Sequence, residues 1–87
     1  MTDFYNLVVK RSAERELRAL PQADLRRIAG RIQRLARDPR PPGCEKLSGQ
    51  EHYRIRQGGY RIVCGVDDGM RTVEVVKIGH RREVYRP

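Results

Sequence analysis

Apolar residues in the first half of the chain recur at helical spacing and predict two helices. Ala13, Leu17 and Leu20 are spaced i, i+4 and i+7, which predicts a short amphipathic helix with Ser12 as its N-cap. A second helix follows Pro21, because proline favours the start of a helix. Its apolar stripe consists of Leu25, Ile28, Ala29, Ile32, Leu35 and Ala36.

Arginines occupy most of the polar positions of this second helix and predict a solvated face. They are Arg26, Arg27, Arg31, Arg34 and Arg37. The helix is expected to end at Asp38-Pro39, where a stiff connection rich in proline begins.

The second half of the chain alternates apolar and polar residues and predicts three strands. The pairs Gly58-Gly59 and Asp68-Gly69 are two-residue hairpin turns that separate these strands. The strands are His52 to Gln57, Tyr60 to Asp67 and Met70 to Gly79, and a β-prone run, Phe4 to Val9, precedes the helices. We therefore predict a single α+β domain over residues 1–87 in the order β-α-α-β-β-β, with two N-terminal helices packed on one face of a small antiparallel sheet.

The first hairpin turn predicts which side chains share a face of the sheet. With Gly58-Gly59 as the loop, Arg56 lies opposite Arg61 and Ile55 lies opposite Ile62. Because side chains alternate along a strand, one face is apolar and carries Tyr53, Ile55, Tyr60, Ile62 and Cys64. The other face, called the arginine face below, carries Arg54, Arg56 and Arg61.

The second turn predicts how the last strand pairs. With Asp68-Gly69 as the loop, Cys64 lies opposite Val73 and Ile62 lies opposite Val75, which extends the apolar face. The same pairing places three further residues beside the arginines, namely Val63, Glu74 and Val76. Glu74 would then neutralise part of the positive charge.

Positive charge dominates the composition and points to a polyanionic partner. The chain holds 19 Lys and Arg against 11 Asp and Glu, a net charge of +8, which favours nucleic acid or an acidic protein. Arg56 opposite Arg61 is a like-charge pair that destabilises a sheet. An anion bound between the two side chains would remove that cost. Alternatively, the pair is tolerated because the two side chains spread apart into water.

The sequence lacks the patterns of several other classes of site. Cys44 and Cys64 have no metal-ligand spacing, and the acidic residues are too scattered for a two-metal nuclease site. Free thiols suit a reducing compartment, and no apolar run approaches the ~20 residues of a membrane helix. We expect a cytoplasmic protein with no metal or other cofactor and no membrane contact.

RNA carries its own nucleophile, so a cluster of cations can cleave it. The arginines would stabilise the crowded phosphate while the 2′-hydroxyl attacks; binding of RNA without cleavage fits the same residues equally well. The C-terminal run from Gly79 to Arg86 adds His80, Arg81, Arg82 and Tyr85 near one end of the sheet. Tyr85 would either stack on a base or anchor the tail as a half-buried aromatic.

Four segments of the second half resemble the RelE family of toxin–antitoxin ribonucleases. They are Lys46-Leu47-Ser48-Gly49, Tyr53-Arg54-Ile55-Arg56, Gly59-Tyr60-Arg61-Ile62-Val63 and Gly79-His80-Arg81-Arg82-Glu83-Val84-Tyr85. The resemblance implies a RelE-like fold and a ribosome-dependent endoribonuclease that cleaves messenger RNA in the ribosomal A site and so inhibits translation. It implies attack of the 2′-hydroxyl on the adjacent phosphate, which leaves a 2′,3′-cyclic phosphate.

The resemblance also implies roles for single residues. Arg61 matches a phosphate-stabilising arginine, Arg81 a basic residue proposed as general acid, and Tyr85 a tyrosine that orients or stacks on the substrate. Arg54 and Arg56 match basic residues near the phosphate that are often lysines. Further contacts with RNA or phosphate are expected from Arg82, Lys46 and His80.

The general base is the position at which this chain departs from the family pattern. Arginine keeps its proton at neutral pH, so Arg54 and Arg56 suit charge stabilisation rather than proton removal. The hypothesis is that Tyr85 or His80 accepts the proton of the 2′-hydroxyl.

By the same resemblance, the partners are the ribosome, messenger RNA and a cognate acidic antitoxin that forms a hetero-oligomer with the toxin. A basic surface would speed that association. One alternative is a ParE-like toxin that inhibits DNA gyrase without nuclease activity. Another is an inactive relative that still binds RNA or the ribosome.

Overall fold

The computed structural model describes residues 4–47 and 52–80 of the chain. Its elements are β1 (Asn6–Val9), α1 (Arg11–Arg18), α2 (Gln22–Arg34), β2 (Glu45–Lys46), β3 (His52–Gln57), β4 (Tyr60–Asp67) and β5 (Thr72–His80). The strands lie side by side in the order β1-β5-β4-β3-β2. The predicted α+β architecture, two helices packed against one sheet, is confirmed.

The sheet is mixed, whereas the prediction was an antiparallel sheet. β1 runs parallel to β5, and the other neighbouring strands are antiparallel. Alternation along a strand indicates which side chains face the core, but it carries no information about the direction of the neighbouring strand. β2 escaped prediction because two polar residues, Glu45 and Lys46, show no periodicity.

The helices lie close to their predicted positions, with one wrong cap. α1 begins at Arg11, and Lys10 is its N-cap without a side-chain hydrogen bond, so the prediction of Ser12 as N-cap is wrong. α2 begins directly after Pro21, as predicted. It ends at Arg34, with Leu35 as its C-cap, so the predicted end at Asp38-Pro39 is wrong.

The hairpin of β3 and β4 has the predicted register. Arg56 pairs with Arg61, Ile55 with Ile62, and the Gly58-Gly59 turn closes the hairpin. Gly58 has a φ of +60°, a conformation that glycine adopts without the steric cost of a Cβ atom. The local signals of turn and alternation were therefore sufficient here.

The predicted register between β4 and β5 is wrong. The connecting turn contains four residues rather than two, with Arg71 at a φ of +49°, so Asp67 pairs with Thr72 and Cys64 with Val75. This shift of two positions keeps Val73 and Val75 on the buried face.

A β-bulge after Val75 then changes which side chains of β5 point toward the core. The pairing passes from Cys64 with Val75 to Val63 with Lys77, which leaves Val76 as the extra residue. Strict alternation after Val75 would have carried Lys77 into the core. The bulge instead buries Ile78, which pairs with Ile62.

The core lies between the two helices and the apolar face of the sheet. α1 and α2 contribute Ala13, Ile28 and Ile32, and Leu35 follows directly after α2. The sheet contributes Tyr53, Ile55, Ile62, Cys64, Val66, Val73, Val75 and Ile78. No helix in the described ranges is long and apolar enough to span a membrane.

Asp68 joins three separate parts of the fold through hydrogen bonds. Its carboxylate accepts two bonds from the Arg40 guanidinium, at 3.2 and 3.0 Å, and a third from the Tyr5 hydroxyl at 2.6 Å. Arg40 also donates to the Tyr53 hydroxyl at 2.9 Å. The bonds from Arg40, followed by the bond from Tyr5, hold the pKa of Asp68 below its ordinary value.

We expect Asp68→Asn to lower the midpoint of thermal unfolding at neutral pH. We also expect this midpoint to fall less than that of the wild type as the pH is lowered. A carboxyl whose pKa is lowered in the folded state stabilises that state above its unfolded pKa, near 4, and loses this effect as the pH falls through the folded pKa. Unfolding followed by circular dichroism from about pH 7 to pH 3 measures both effects. Asp38→Asn is the control, since Asp38 is exposed and forms no ion pair within residues 4–47 and 52–80. Equal acid sensitivity of wild type and Asp68→Asn would contradict this prediction.

Candidate functional site

Arg54, Arg56 and Arg61 lie on one face of the sheet, as the hairpin predicted. Arg56 pairs directly with Arg61, and Arg54 pairs with Val63, two positions further along β4. The helices and the core occupy the opposite face. Three guanidinium groups are thus carried by two paired strands, which hold them more rigidly than loops would.

Arg61 is the most enclosed of the three arginines. Only 5% of its surface is exposed, and its Nη1 atom donates to the carbonyl oxygen of Tyr60 at 3.1 Å. Its strand, β4, lies between β3 and β5 in the sheet. A guanidinium fixed in this way can act on a phosphate without first being ordered.

Glu45 also belongs to the arginine face, although it was not among the predicted site residues. β2 pairs with β3 so that Glu45 lies opposite Arg54. The Nε and Nη2 atoms of Arg54 both donate to Oε1 of Glu45, at 3.2 and 2.8 Å. The hydrogen bond from Arg54, with the charges of Arg54, Arg56 and Arg61, lowers the pKa of Glu45.

This carboxylate replaces the one that the sequence predicted. Glu74 pairs with Gly65 rather than lying beside the arginines, and Lys77 lies opposite Val63. The partial neutralisation assigned to Glu74 is therefore performed by Glu45. Within residues 4–47 and 52–80, this face thus carries three guanidinium groups and the carboxylate of Glu45.

Lys46 and His80 are not brought to the arginine face. Lys46 pairs with Tyr53 and His80 pairs with Tyr60, so alternation directs both toward the side of the sheet that carries the helices. The rings of His80 and Tyr60 meet edge to face, with centroids 5.9 Å apart. The Tyr60 hydroxyl donates to Asp24 of α2 at 3.3 Å.

Three of the predicted site residues lie outside the described residues. Arg81, Arg82 and Tyr85 follow the end of β5 at His80. Their proposed contacts with RNA stay predictions from the sequence.

The described residues offer no cluster suited to a metal ion. Within residues 4–47 and 52–80, no group of three or more His, Cys, Asp or Glu side chains is placed to hold one. Burial, followed by the nearby Cys44, raises the pKa of Cys64 to about 12, so this thiol stays protonated and unreactive.

Comparisons with known proteins point to toxins of toxin–antitoxin systems. A family model described as the ParE toxin of a type II toxin–antitoxin system, parDE, matches residues 7–85. No curated protein matches the sequence significantly.

Solved structures of RelE proteins share the fold. The isolated E. coli RelE toxin is 30% identical, with a TM-score of 0.77, over 93% of this chain and 90% of that one. The RelBE2 toxin–antitoxin complex of Mycobacterium tuberculosis is 26% identical, with a TM-score of 0.79, over 90% of this chain and 99% of that one. The intact E. coli RelBE toxin–antitoxin complex is 26% identical, with a TM-score of 0.77, over 87% of this chain and 95% of that one.

Proposed function

This chain belongs to the RelE/ParE superfamily of type II toxins, and from that premise we propose that it is a RelE-type messenger RNA interferase. The proposed reaction is endonucleolytic cleavage of messenger RNA in the ribosomal A site, which inhibits translation. The 2′-oxygen forms a bond to the adjacent phosphorus while the bond to the 5′-oxygen breaks. The products are a 2′,3′-cyclic phosphate and a free 5′-hydroxyl.

One observation carries the proposal, namely that Arg54, Arg56 and Arg61 share the face of the sheet opposite the helices. Charge accumulates on the phosphate oxygens as the 2′-oxygen attacks, and fixed guanidinium groups stabilise that charge in the transition state. Arg61, buried and bonded to the Tyr60 carbonyl, would contact the reacting phosphate. Arg54 and Arg56 would hold the RNA backbone, since the planar fork of arginine binds phosphate oxygens in pairs.

Proton transfer is assigned to groups other than these arginines. The position of His80, paired with Tyr60, disfavours it as the base. Glu45 is a carboxylate on the arginine face and joins Tyr85 as a candidate to accept the 2′-hydroxyl proton. Arg81 is proposed to donate a proton to the leaving 5′-oxygen, and Arg82 to bind phosphate.

A protein antitoxin is the proposed regulator. RelE proteins of M. tuberculosis and E. coli occur in toxin–antitoxin complexes with this fold. A cognate acidic antitoxin would form a hetero-oligomer with this chain, and the net charge of +8 would accelerate their encounter.

A second candidate function is inhibition of DNA gyrase, which the ParE family match favours. Two assays of the purified chain separate the candidates: primer extension on a translated reporter messenger RNA, and supercoiling by gyrase. Cuts that require translation, with normal supercoiling, support the interferase. Intact RNA with blocked supercoiling would establish the gyrase inhibitor instead.

We expect Glu45→Gln to tighten RNA binding about two- to fivefold at low salt. The substitution removes the carboxylate that neutralises the arginine face, and a charge a few ångströms from a phosphate in mostly aqueous surroundings changes binding by about 1 kcal/mol. Fluorescence anisotropy with a 2′-O-methyl RNA octamer, which lacks the free nucleophile, measures binding without cleavage.

The matched control is Glu14→Gln on α1, which removes the same charge from an exposed ion pair with Arg18. Equal tightening in both variants would show that only the net charge matters. Weaker binding by Glu45→Gln would show that Glu45 contacts the RNA favourably.

A further inference from the structure

A row of paired residues beyond the arginines continues the arginine face. The three arginines lie in two neighbouring rows across β3 and β4. In the next row, His52 of β3 lies opposite Gly65 of β4, and Gly65 lies opposite Glu74 of β5. Rows on one face are two residues apart along a strand, which is about 7 Å. An extended ligand held by the arginines therefore reaches this third row.

A pocket of about 370 Å³ lies at the third row. Gly65 and Glu74 line it together with two apolar side chains, those of Val8 and Met70. Val8 pairs with Glu74 from the edge strand β1. Val8 is 46% exposed and Met70 is 73% exposed. This pocket, called the Glu74 pocket below, thus offers uncovered apolar surface beside a carboxylate.

Glu74 provides the carboxylate that is available to a ligand. It is exposed and forms no ion pair within residues 4–47 and 52–80. Asp67 also lines the pocket, but its Oδ1 atom already accepts the backbone N–H of Met70 at 3.1 Å. A carboxylate accepts hydrogen bonds and donates none. The pocket therefore suits an apolar group that carries an N–H donor.

His52 brings an aromatic ring to the same row. The backbones of His52 and Glu74 lie two strand spacings apart, about 10 Å, with Gly65 between them. Because glycine has no side chain, a flat ring can lie over Gly65 between the other two side chains. Unpaired nucleobases stack on histidine as on other aromatic rings. The Nδ1 atom of His52 is shielded from solvent, so a base would contact the ring rather than this nitrogen.

We propose that the Glu74 pocket binds a nucleobase of the RNA strand held on the arginine face and selects a base with an exocyclic amino group. This inference rests on the proposed function and adds a specificity-determining residue to it. The amino group would donate to Glu74 while the base contacts His52 and Val8. Carboxylates recognise the amino group of cytosine in this way. Uracil presents a carbonyl oxygen at the same position, which Glu74 repels.

The charges around the pocket favour a nucleobase over other ligands. A phosphate placed in the pocket would be repelled by Glu74 and Asp67. A basic protein segment would lie against the neighbouring row, where Arg54 and Lys77 carry positive charge. A single strand of RNA suits both rows, because its phosphates meet the arginines and its bases meet the pocket.

Fluorescence anisotropy with 2′-O-methyl RNA octamers of cytidine and of uridine tests the proposal on the full chain. The ratio of the two dissociation constants is measured, since attraction by net charge acts on both octamers alike. We expect the wild type to bind the cytidine octamer about fivefold more tightly or better. In Glu74→Gln, the amide both donates and accepts, so we expect the two octamers to bind within about twofold of each other. The matched control is Glu14→Gln, which removes the same charge from α1 and should keep the wild-type ratio.

His52→Ala tests the stacking contact separately. We expect it to weaken binding of both octamers severalfold, since stacking on an aromatic ring tolerates any base. His80→Ala is its matched control, because His80 pairs with Tyr60 and lies on the side of the sheet that carries the helices. We expect this control to bind both octamers as the wild type does. Each variant is first shown to be folded by thermal unfolding.

The possible contrary results separate this inference from the proposed function. Equal binding of the two octamers by the wild type would overturn the base preference and leave the proposed function standing. Tighter binding of both octamers by Glu74→Gln at an unchanged ratio would show that Glu74 only repels RNA. Wild-type binding by His52→Ala would overturn the stacking contact. Binding of neither octamer by the wild type would overturn the proposed function together with this pocket.

Discussion

Arg61→Ala is expected to reduce messenger RNA cleavage by about 100-fold or more. Removal of one preorganised donor from a site that stabilises developing negative charge costs about 10²–10³ in rate. Arg61 fits that role because it is buried and its guanidinium is held by the Tyr60 carbonyl. Primer extension on a translated reporter, with wild type and variant at equal concentration, measures the loss.

Two further variants make this result specific to the Arg61 guanidinium. Arg61→Lys keeps the charge but loses the planar fork, so we expect cleavage between those of wild type and Arg61→Ala. Arg26→Ala removes an exposed arginine of α2 and should cleave as wild type. Because Arg61 is buried, thermal unfolding of each variant establishes that the fold is retained. Wild-type cleavage by folded Arg61→Ala would remove Arg61 from the proposed site.

Ile62→Ala is expected to lower the free energy of unfolding by about 2–5 kcal/mol, the usual cost of truncating a buried isoleucine. Ile62 is completely buried and lies on β4 between Ile55 of β3 and Ile78 of β5. The resulting cavity would lie at the centre of the sheet, where neighbouring strands cannot easily close it. The free energy of unfolding of a domain is only about 5–15 kcal/mol. This single substitution therefore removes a large part of it.

Urea unfolding measures the effect of Ile62→Ala. The control is Val9→Ala, since Val9 lies on the edge strand β1 and is exposed, and we expect it to change the free energy of unfolding by less than about 1 kcal/mol. A similar loss in both variants would contradict the assignment of Ile62 to the centre of the core.

The position of the arginine face has a consequence for function. Its strands, β3 and β4, rest on the core residues Ile55 and Ile62, so core packing also holds the backbone of Arg54, Arg56 and Arg61 in place. Substitutions that loosen this core should impair cleavage before the domain unfolds, since catalysis needs closer positioning than folding does.

The arginine face could be predicted from the sequence, whereas its counterion could not. Arg54, Arg56 and Arg61 were placed together by alternation and by the turn at Gly58-Gly59. Glu45 was missed because it lies on a two-residue strand without periodicity, and only pairing with β3 brings it to Arg54. His80 was expected near RNA from its place in the C-terminal run, but the bulge in β5 directs it toward Tyr60.

By itself, the sequence determined what depends on neighbouring residues: two helices, the β3–β4 hairpin and the shared face of its arginines. Tertiary structure alone decided the parallel pairing of β1 with β5, the four-residue turn before β5, and the bulge at Val76. The physical reason is that local patterns state which side chains avoid water but not which strand covers them. The β5 register is the one that buries Ile78 and leaves Lys77 free to reach Glu16 at 3.2 Å, a choice that exists only once α1 has packed on the sheet.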